Sequence, residues 1–447
     1  MVIPGIMGSE LIDTSTGKLL WGMRPGLLAR MWTAPTAALA PLAIRDNRPG
    51  TVRPGGLLRV SGFCPIFAGI EPYSRLLTAL HRVLRHPSAV LEFAYDWRLP
   101  VRHNAELLAR ATERHVADWR IRSSRPDAKV VLVAHSMGGL LCQALGTISG
   151  ALEEVRAVVT LGTPFEGAAK AAVMLASGEG APLPARRLRE VAVTMPGLYD
   201  LLPSYRCVDA GSTVRTLTES DVADIGGDAG LARAAFEHRS KVSEVVLPGH
   251  RPMIGVEQPT MSSLEINAGR VEPRFHTFGV DPDGELTRDP ASGIPTRYRG
   301  LGDGTVPRNS AVPLQNPAVF SLPQQHGPIA TADEAITFVV DTLRYGAVDR
   351  GPRLGTGEIG LLVPDVVTVG VPFDTEVTGI DRPNTLRAKL IDVDSGKQLA
   401  APTARRLGDS IVVSATAYQA GVFRIVVDGS GTSPVSQLLM AVEPSDR

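Results

Sequence analysis

The sequence predicts an α/β fold, with a parallel sheet covered by helices and interrupted by inserted segments, followed by a separate all-β module. Strand-like and helix-like stretches alternate from the start of the chain to about Tyr345. The run Val130 to Gly139, VVLVAHSMGG, passes from an apolar strand into a helix within a few residues. After Gly346 the texture changes to short alternating runs separated by turn signals. At 447 residues the chain exceeds one ordinary core, so two domains are the default.

The strands expected for the sheet are Val2 to Ile3, Val90 to Tyr95, Val130 to Ala134, Ala157 to Gly162 and Phe275 to Val280. Helices are expected over Tyr73 to Leu84, Asn104 to Ile121 and Asp333 to Tyr345, where apolar residues recur at helical spacing. The first domain is therefore expected over residues 1–348. Two long segments do not fit its core, about 21–67 and 166–272, and insertions of this kind commonly cap a site. A Gly- and Pro-rich stretch over 349–360 reads as a linker. Residues 361–447 then hold LLVPDVVTVGV, TLRAKLIDVD, SIVVSATA, VFRIVVDG and SQLLMAVE, the pattern of a small immunoglobulin-like β-sandwich.

Bulk properties exclude several classes. Net charge is zero, which argues against nucleic acid as a partner. The cysteines Cys64, Cys142 and Cys207 are odd in number and widely spaced, so neither a disulfide scaffold nor a zinc site is expected. No His/Asp/Glu cluster has ligand spacing, and no metal or other cofactor is expected. The chain start shows no signal-peptide pattern, and no apolar run approaches the roughly 20 residues of a spanning helix. A cytoplasmic location is expected, with peripheral membrane contact left open.

Within VVLVAHSMGG, Ser136 falls at the apex of a sharp strand-to-helix turn, and Gly138 lets neighbouring backbone come close. This is a relaxed form of the nucleophile elbow G-x-S-x-G, with Ala134 at the first small position. The same pattern also describes a junction that simply needs small residues. A serine nucleophile needs a base, and the base needs an orienting acid, in the chain order Ser, Asp or Glu, His on an α/β-hydrolase fold. Of nine histidines, His326 in LPQQHGPIA is the one downstream that sits in a loop before the last helix. His135 adjoins the serine and cannot turn back to it. For the acid, GLGDGTVP offers Asp303 in a Gly-flanked turn, which also makes a good plain turn, with Asp281, Asp283 and Asp289 as the alternative group. An oxyanion hole needs a second N–H besides that of Met137, and PGIMGSEL offers Ile6, with Met7 as alternative.

With these residues assembled, the chain resembles the lecithin:cholesterol acyltransferase family, with its lysosomal phospholipase and phospholipid:diacylglycerol acyltransferase relatives. The resemblance rests on PGIMGSEL, YDWRLP, AHSMGG, LGTPFEG, GDGTVP and His326, in order across nearly all of residues 1 to 345. It implies an α/β-hydrolase with Ser136 as nucleophile, Asp303 as acid, His326 as base and Ile6 and Met137 as oxyanion donors. It also implies a lipid or other acyl ester as substrate, acted on as lipase, phospholipase or O-acyltransferase. Ala134 departs from the family's glycine, and the disulfides of secreted members cannot be assumed here. In YDWR, Asp96 and Arg98 read as closing a strand end with Trp97 packed behind.

Locally, Met31 and Trp32 lie beside Arg30 in an apolar stretch that suits either a lipid interface or packing within the cap. The β module lies outside the resemblance and leaves a protein partner open. Two other readings stand beside acyl transfer from lipid: an esterase or thioesterase for a soluble substrate, and a lapsed hydrolase acting as a binding or scaffold protein.

Overall fold

A computed structural model describes residues 1–22, 24–44, 50–59, 73–84, 86–180, 183–281, 284–313, 318–346, 359–380, 382–408, 410–429 and 434–443. Its centre is a parallel sheet in the order Val2–Ile3, Val130–His135, Val155–Leu161, Arg251–Gly255, Phe320–Leu322. Both faces are covered, which is why the middle strands are continuous apolar runs. Val131, Val133 and Leu161 point to one side, against the helices Ser74–Val83 and Asp333–Tyr345. Leu132, Ala134 and Val158 point to the other, against the helices Val101–Ser123 and Met137–Ala144.

Two of the expected strands lie elsewhere. Residues 90–95 run beside the first strand, but only Glu92 forms a bridge, with Val2. Phe275 to Val280 contributes His276–Phe278 to a two-stranded hairpin with Arg297–Arg299 outside the central sheet. Its place is taken by Arg251–Gly255 and Phe320–Leu322. The first opens Arg-Pro and the second has three residues, so neither carries a recognisable strand pattern. The insertion expected over 166–272 is thus interrupted: Arg251–Gly255 belongs to the central sheet, while Ser263–Asn267 and Arg270–Arg274 after it join Val208–Asp209 and Val214–Arg215 before it in a separate four-stranded sheet.

The two inserted segments meet over the C-terminal edge of the sheet. Leu39 and Leu42, from the Pro35–Leu39 helix and the turn after it, and Leu188 and Val191, from the Ala185–Ala192 helix, line one cavity with Ser136. Met31 is 0% exposed and Trp32 packs against the same core, so Met31 is corrected from a lipid-interface candidate to a cap residue. Val52–Leu57 from the same insertion pairs with Ser9–Asp13, and the end of the insertion from residue 60 on, with Cys64, lies outside the described residues. Cys142 and Cys207 are free and buried.

Asp96 and Arg98 tie this region together from inside. The Arg98 guanidinium donates from Nε to Asp96 Oδ1 at 2.9 Å and from Nη2 to Oδ2 at 2.6 Å, and its Nη1 donates to the Leu42 carbonyl at 3.1 Å. Trp97 between them donates from Nε1 to the Ser9 carbonyl at 3.1 Å, and it also lines the cavity.

The C-terminal residues form two facing sheets. One is ordered Gly360–Leu362, Pro372–Thr378, Ser410–Thr416, Ala404–Leu407; the other Val366–Thr368, Val435–Val442, Gly421–Gly429, Leu386–Asp392, Gln398–Ala400. Alternate residues such as Phe373, Val377, Val413, Phe423, Ile425 and Leu439 fill the space between them. This is the small β-sandwich that the alternating runs implied, and most of the expected linker lies outside the described residues.

Removing one partner of the buried Asp96–Arg98 pair leaves an uncompensated charge, so Arg98→Ala lowers the unfolding free energy by about 3–5 kcal/mol in urea titration. A change under about 1 kcal/mol would contradict this account of the pair.

Candidate active site

The strand Val130–His135 ends beside Ser136, which turns the chain into the Met137–Ala144 helix with φ 53° and ψ −127°. A non-glycine residue in that region is strained, and the surroundings enforce it. A Cβ on Gly138 would stand 2.6 Å from the Pro4 carbonyl and 2.7 Å from the Ile3 carbonyl, so the first strand passes directly over the turn. A Cβ on Gly5 would stand 2.8 Å from Ser136 Cβ. The small residues after the first strand therefore do bring that loop against the serine.

His326 follows the last sheet strand, Phe320–Leu322, in a loop. Its Nε2 accepts the Ser136 hydroxyl at 2.8 Å, and its Nδ1–H donates to Asp303 Oδ2 at 2.7 Å. Asp303 is itself fixed: Oδ1 accepts the amides of Thr305 at 3.0 Å and Val306 at 2.6 Å. The Asp303 carbonyl accepts the His326 amide at 2.8 Å, joining their two loops by main chain as well. Ser136, Asp303 and His326 are 4%, 1% and 7% exposed. The structure thus brings together the three residues singled out from the sequence. Of the alternative acids, Asp281 and Asp289 cap turns near the hairpin, and Asp283 lies outside the described residues.

The oxyanion candidates sit where donors are free. Met137 is the first residue of its helix, where amides have no intrahelical partner. Around Ile6, the Pro4 carbonyl accepts Tyr95 Oη at 2.9 Å and the Met7 carbonyl accepts Trp21 Nε1 at 2.8 Å. The Gly5 amide donates to Tyr73 Oη at 2.9 Å. Among the described residues the amides of Ile6 and Met7 have no protein acceptor, and Ile6 lines the cavity beside Ser136.

His135 and Tyr73 were not legible as site residues. Tyr73 Oη, having accepted from Gly5, donates to His135 Nδ1 at 2.9 Å, which leaves His135 Nε2–H to donate to the His326 carbonyl at 3.0 Å. One neutral imidazole thereby links the loop after the first strand to the loop of His326. Burial, with the His326 ring beside it, pushes the His135 pKa down to about 3.

The cavity on which Ser136 opens encloses about 1160 Å³, counting space open to solvent, and its walls are mainly apolar: Trp21, Trp97, Met174, Leu183, Leu188 and Leu198 among them. Lys170 is the one permanently charged side chain among its described lining residues. Among the described residues no group of His, Cys, Asp and Glu side chains could hold a metal ion. None of their helices is long and apolar enough to cross a membrane.

Comparison with known proteins bears on the fold. Residues 47–225 match the family model described as lecithin:cholesterol acyltransferase. That span includes Ser136 but neither Asp303 nor His326, whose assignment rests on the hydrogen bonds above. No curated protein matches the sequence significantly. Among solved structures, the Tle4-Tli4 complex superposes with a TM-score of 0.53 at 15% identity, covering 78% of this chain and 98% of that one. Bacillus licheniformis lipase BlEst2 in its propeptide form gives a TM-score of 0.31 at 15% identity, over 76% of this chain and 64% of that one. Phospholipase PlaB from Legionella pneumophila gives 0.29 at 10%, over 84% and 91%.

A neutral buried His135 costs stability in acid. The unfolded chain takes up its proton near 6.5 and the folded chain only near 3, so stability present above 6.5 is lost as pH falls below it. Between pH 7 and 5 the parent should lose about 2 kcal/mol more than His135→Gln, read from denaturant titrations at each pH. Parallel pH curves would contradict the neutral assignment. On these grounds the chain has an α/β-hydrolase fold, and its residues 47–225 are similar to the lecithin:cholesterol acyltransferase family.

Proposed function

We propose that the chain transfers an acyl group from a lipid ester through an acyl-enzyme on Ser136. The observation that carries this reading is the line from Ser136 through His326 to Asp303 at the wall of a deep apolar cavity. An apolar cavity accepts an acyl chain for the same reason the core accepts Leu, namely removal of apolar surface from water.

Ser136 Oγ bonds to the ester carbonyl carbon as its proton passes to His326 Nε2. Asp303 holds the Nδ1–H and stabilises the imidazolium that forms, while the Ile6 and Met137 amides receive the negative oxygen. Collapse of the tetrahedral adduct breaks the bond to the leaving alcohol, which takes the proton from Nε2. Water or a second alcohol then attacks the acyl-enzyme by the same steps, giving hydrolysis or acyl transfer. Which acceptor prevails depends on how far the closed cap admits water. The family match supports lipid over a small soluble ester as acyl donor.

Ser136→Ala should lower kcat on a chromogenic long-chain ester by roughly 10⁴- to 10⁶-fold. Retention of more than about a tenth of parental kcat would sink the covalent reading. Lys170, the one permanently charged side chain among the described residues of the apolar wall, favours a donor with an anionic headgroup. Lys170→Gln should cut turnover of an anionic phospholipid in mixed micelles about fivefold, the scale of one partly exposed charge pair, with a neutral ester unaffected. An equal loss on both lipids would assign Lys170 to the cap's packing instead.

A further inference from the structure

The base loop is held from behind by the β-sandwich. Gln258, 0% exposed, belongs to the short strand Gln258–Pro259, which pairs with Leu301–Gly302 and bridges Asp303. Its side chain reaches the other way. Nε2 donates to the Ile359 carbonyl at 2.9 Å, and Oε1 accepts the Leu361 amide at 3.0 Å, so a carboxamide closes a β-like bridge to the sandwich's first strand.

Gln325, immediately before His326, completes the group. Its Nε2 donates both to Gln258 Oε1 at 3.0 Å and to the Leu361 carbonyl at 2.8 Å. Its Oε1 lies against the acid loop, 2.2 Å from where a Cβ on Gly304 would stand. Gln324 adds a second tie: its Oε1 accepts the Gln325 amide at 3.0 Å and the Ser436 amide at 3.3 Å, and its Nε2 lies 3.4 Å from the Pro434 carbonyl. On the sandwich side every partner is main chain, in or immediately before the strands Gly360–Leu362 and Val435–Val442.

From this arrangement we infer that the β-sandwich is a positioning element of the active site, acting through Gln258, Gln324 and Gln325 to hold His326 over Ser136. The inference rests on the acyl-enzyme reading above. Buried carboxamides cannot leave their partners without stranding donors and acceptors, so the loop has one favoured place only while the sandwich is docked. A shift of about 1 Å in a reacting group can cost on the order of 10²-fold in rate, the sensitivity that makes such bracing matter. The sandwich lies beyond the 47–225 family match, and a role in catalysis supplies the reason for its being wired to both the acid and the base loops.

The test uses full-length protein and substitutions outside the reacting groups. Gln325→Leu keeps the bulk of the side chain and removes its amide bonds. Gly360→Ala changes a residue of the sandwich, where a Cβ would stand 2.4 Å from both the Glu257 carbonyl across the contact and Thr378 Oγ1 and would push the first sandwich strand away. Gln324→Ala is the mildest of the three. Each is checked for parental near-ultraviolet circular dichroism, then assayed for kcat and KM on p-nitrophenyl octanoate and for the rate of Ser136 labelling by a fluorophosphonate. Folded Gln325→Leu and Gly360→Ala should lose about 10- to 100-fold in kcat and in labelling rate with KM nearly unchanged, and Gln324→Ala a smaller amount in the same direction. A purely structural role would leave folded variants at parental rates, and labelling within about twofold of the parent in folded Gln325→Leu or Gln324→Ala overturns the inference. If Gly360→Ala does not fold, the two glutamine variants decide. A parent that neither turns over the ester nor labels would instead overturn the acyl-enzyme reading, and this inference with it.

Discussion

Everything in the site depends on one imidazole being held with hydrogen bonds on both nitrogens. His326 sits in a loop, without a helix or strand to fix it, yet Nδ1 and Nε2 lie 2.7 Å and 2.8 Å from their partners. A planar ring satisfied at both ends has little freedom left, provided its backbone cannot move. That backbone is held at its amide by the Asp303 carbonyl and at its carbonyl by His135. The parallel sheet delivers His135 and His326 to the same edge, and Asp303 joins them from the end of Leu301–Gly302, a short strand paired with Gln258–Pro259 outside that sheet.

The environment sets what the constellation is worth. Ser136, Asp303 and His326 are nearly excluded from water, where a fixed dipole or charge acts more strongly than it would in solvent. The cap provides that exclusion with apolar side chains from two distant stretches of sequence, and the buried Asp96–Arg98 pair anchors one of them through the Leu42 carbonyl. Met31 and Trp32 serve the same purpose, packed inward. The strained φ of Ser136 is sustained by close passage of the first strand over Gly138, so fold stability underwrites the turn that raises the hydroxyl.

Much of this was legible in the sequence because it is local. A β-branched run ending on Ser136, a Gly-flanked Asp303 and a loop His326 in the right order each carry a short-range signature, and the alternating runs after residue 360 announce a sandwich. What stayed hidden is what depends on packing between distant segments. Arg251–Gly255 and Phe320–Leu322 become strands because neighbours pair with them, against their own Pro-containing or very short patterns. Phe275 to Val280 has strand-like residues but no room in the sheet. Tyr73 and His135 gain their place only when the helix that Tyr73 precedes meets the strand that His135 ends. The glutamines at 324 and 325 were visible as adjacent polar residues in an otherwise apolar loop, but nothing nearby in the chain names their partners 36 to 112 residues away.

The central claim is that an acyl group passes through Ser136. The most direct measurement is rapid acid quench of the full-length protein during turnover of a p-nitrophenyl acyl ester, followed by peptide mass spectrometry. The account predicts a peptide containing Ser136 heavier by the acyl group, formed with the burst of p-nitrophenol and absent from Ser136→Ala. Turnover with no acylated Ser136 peptide, or acylation that persists in Ser136→Ala, would contradict it.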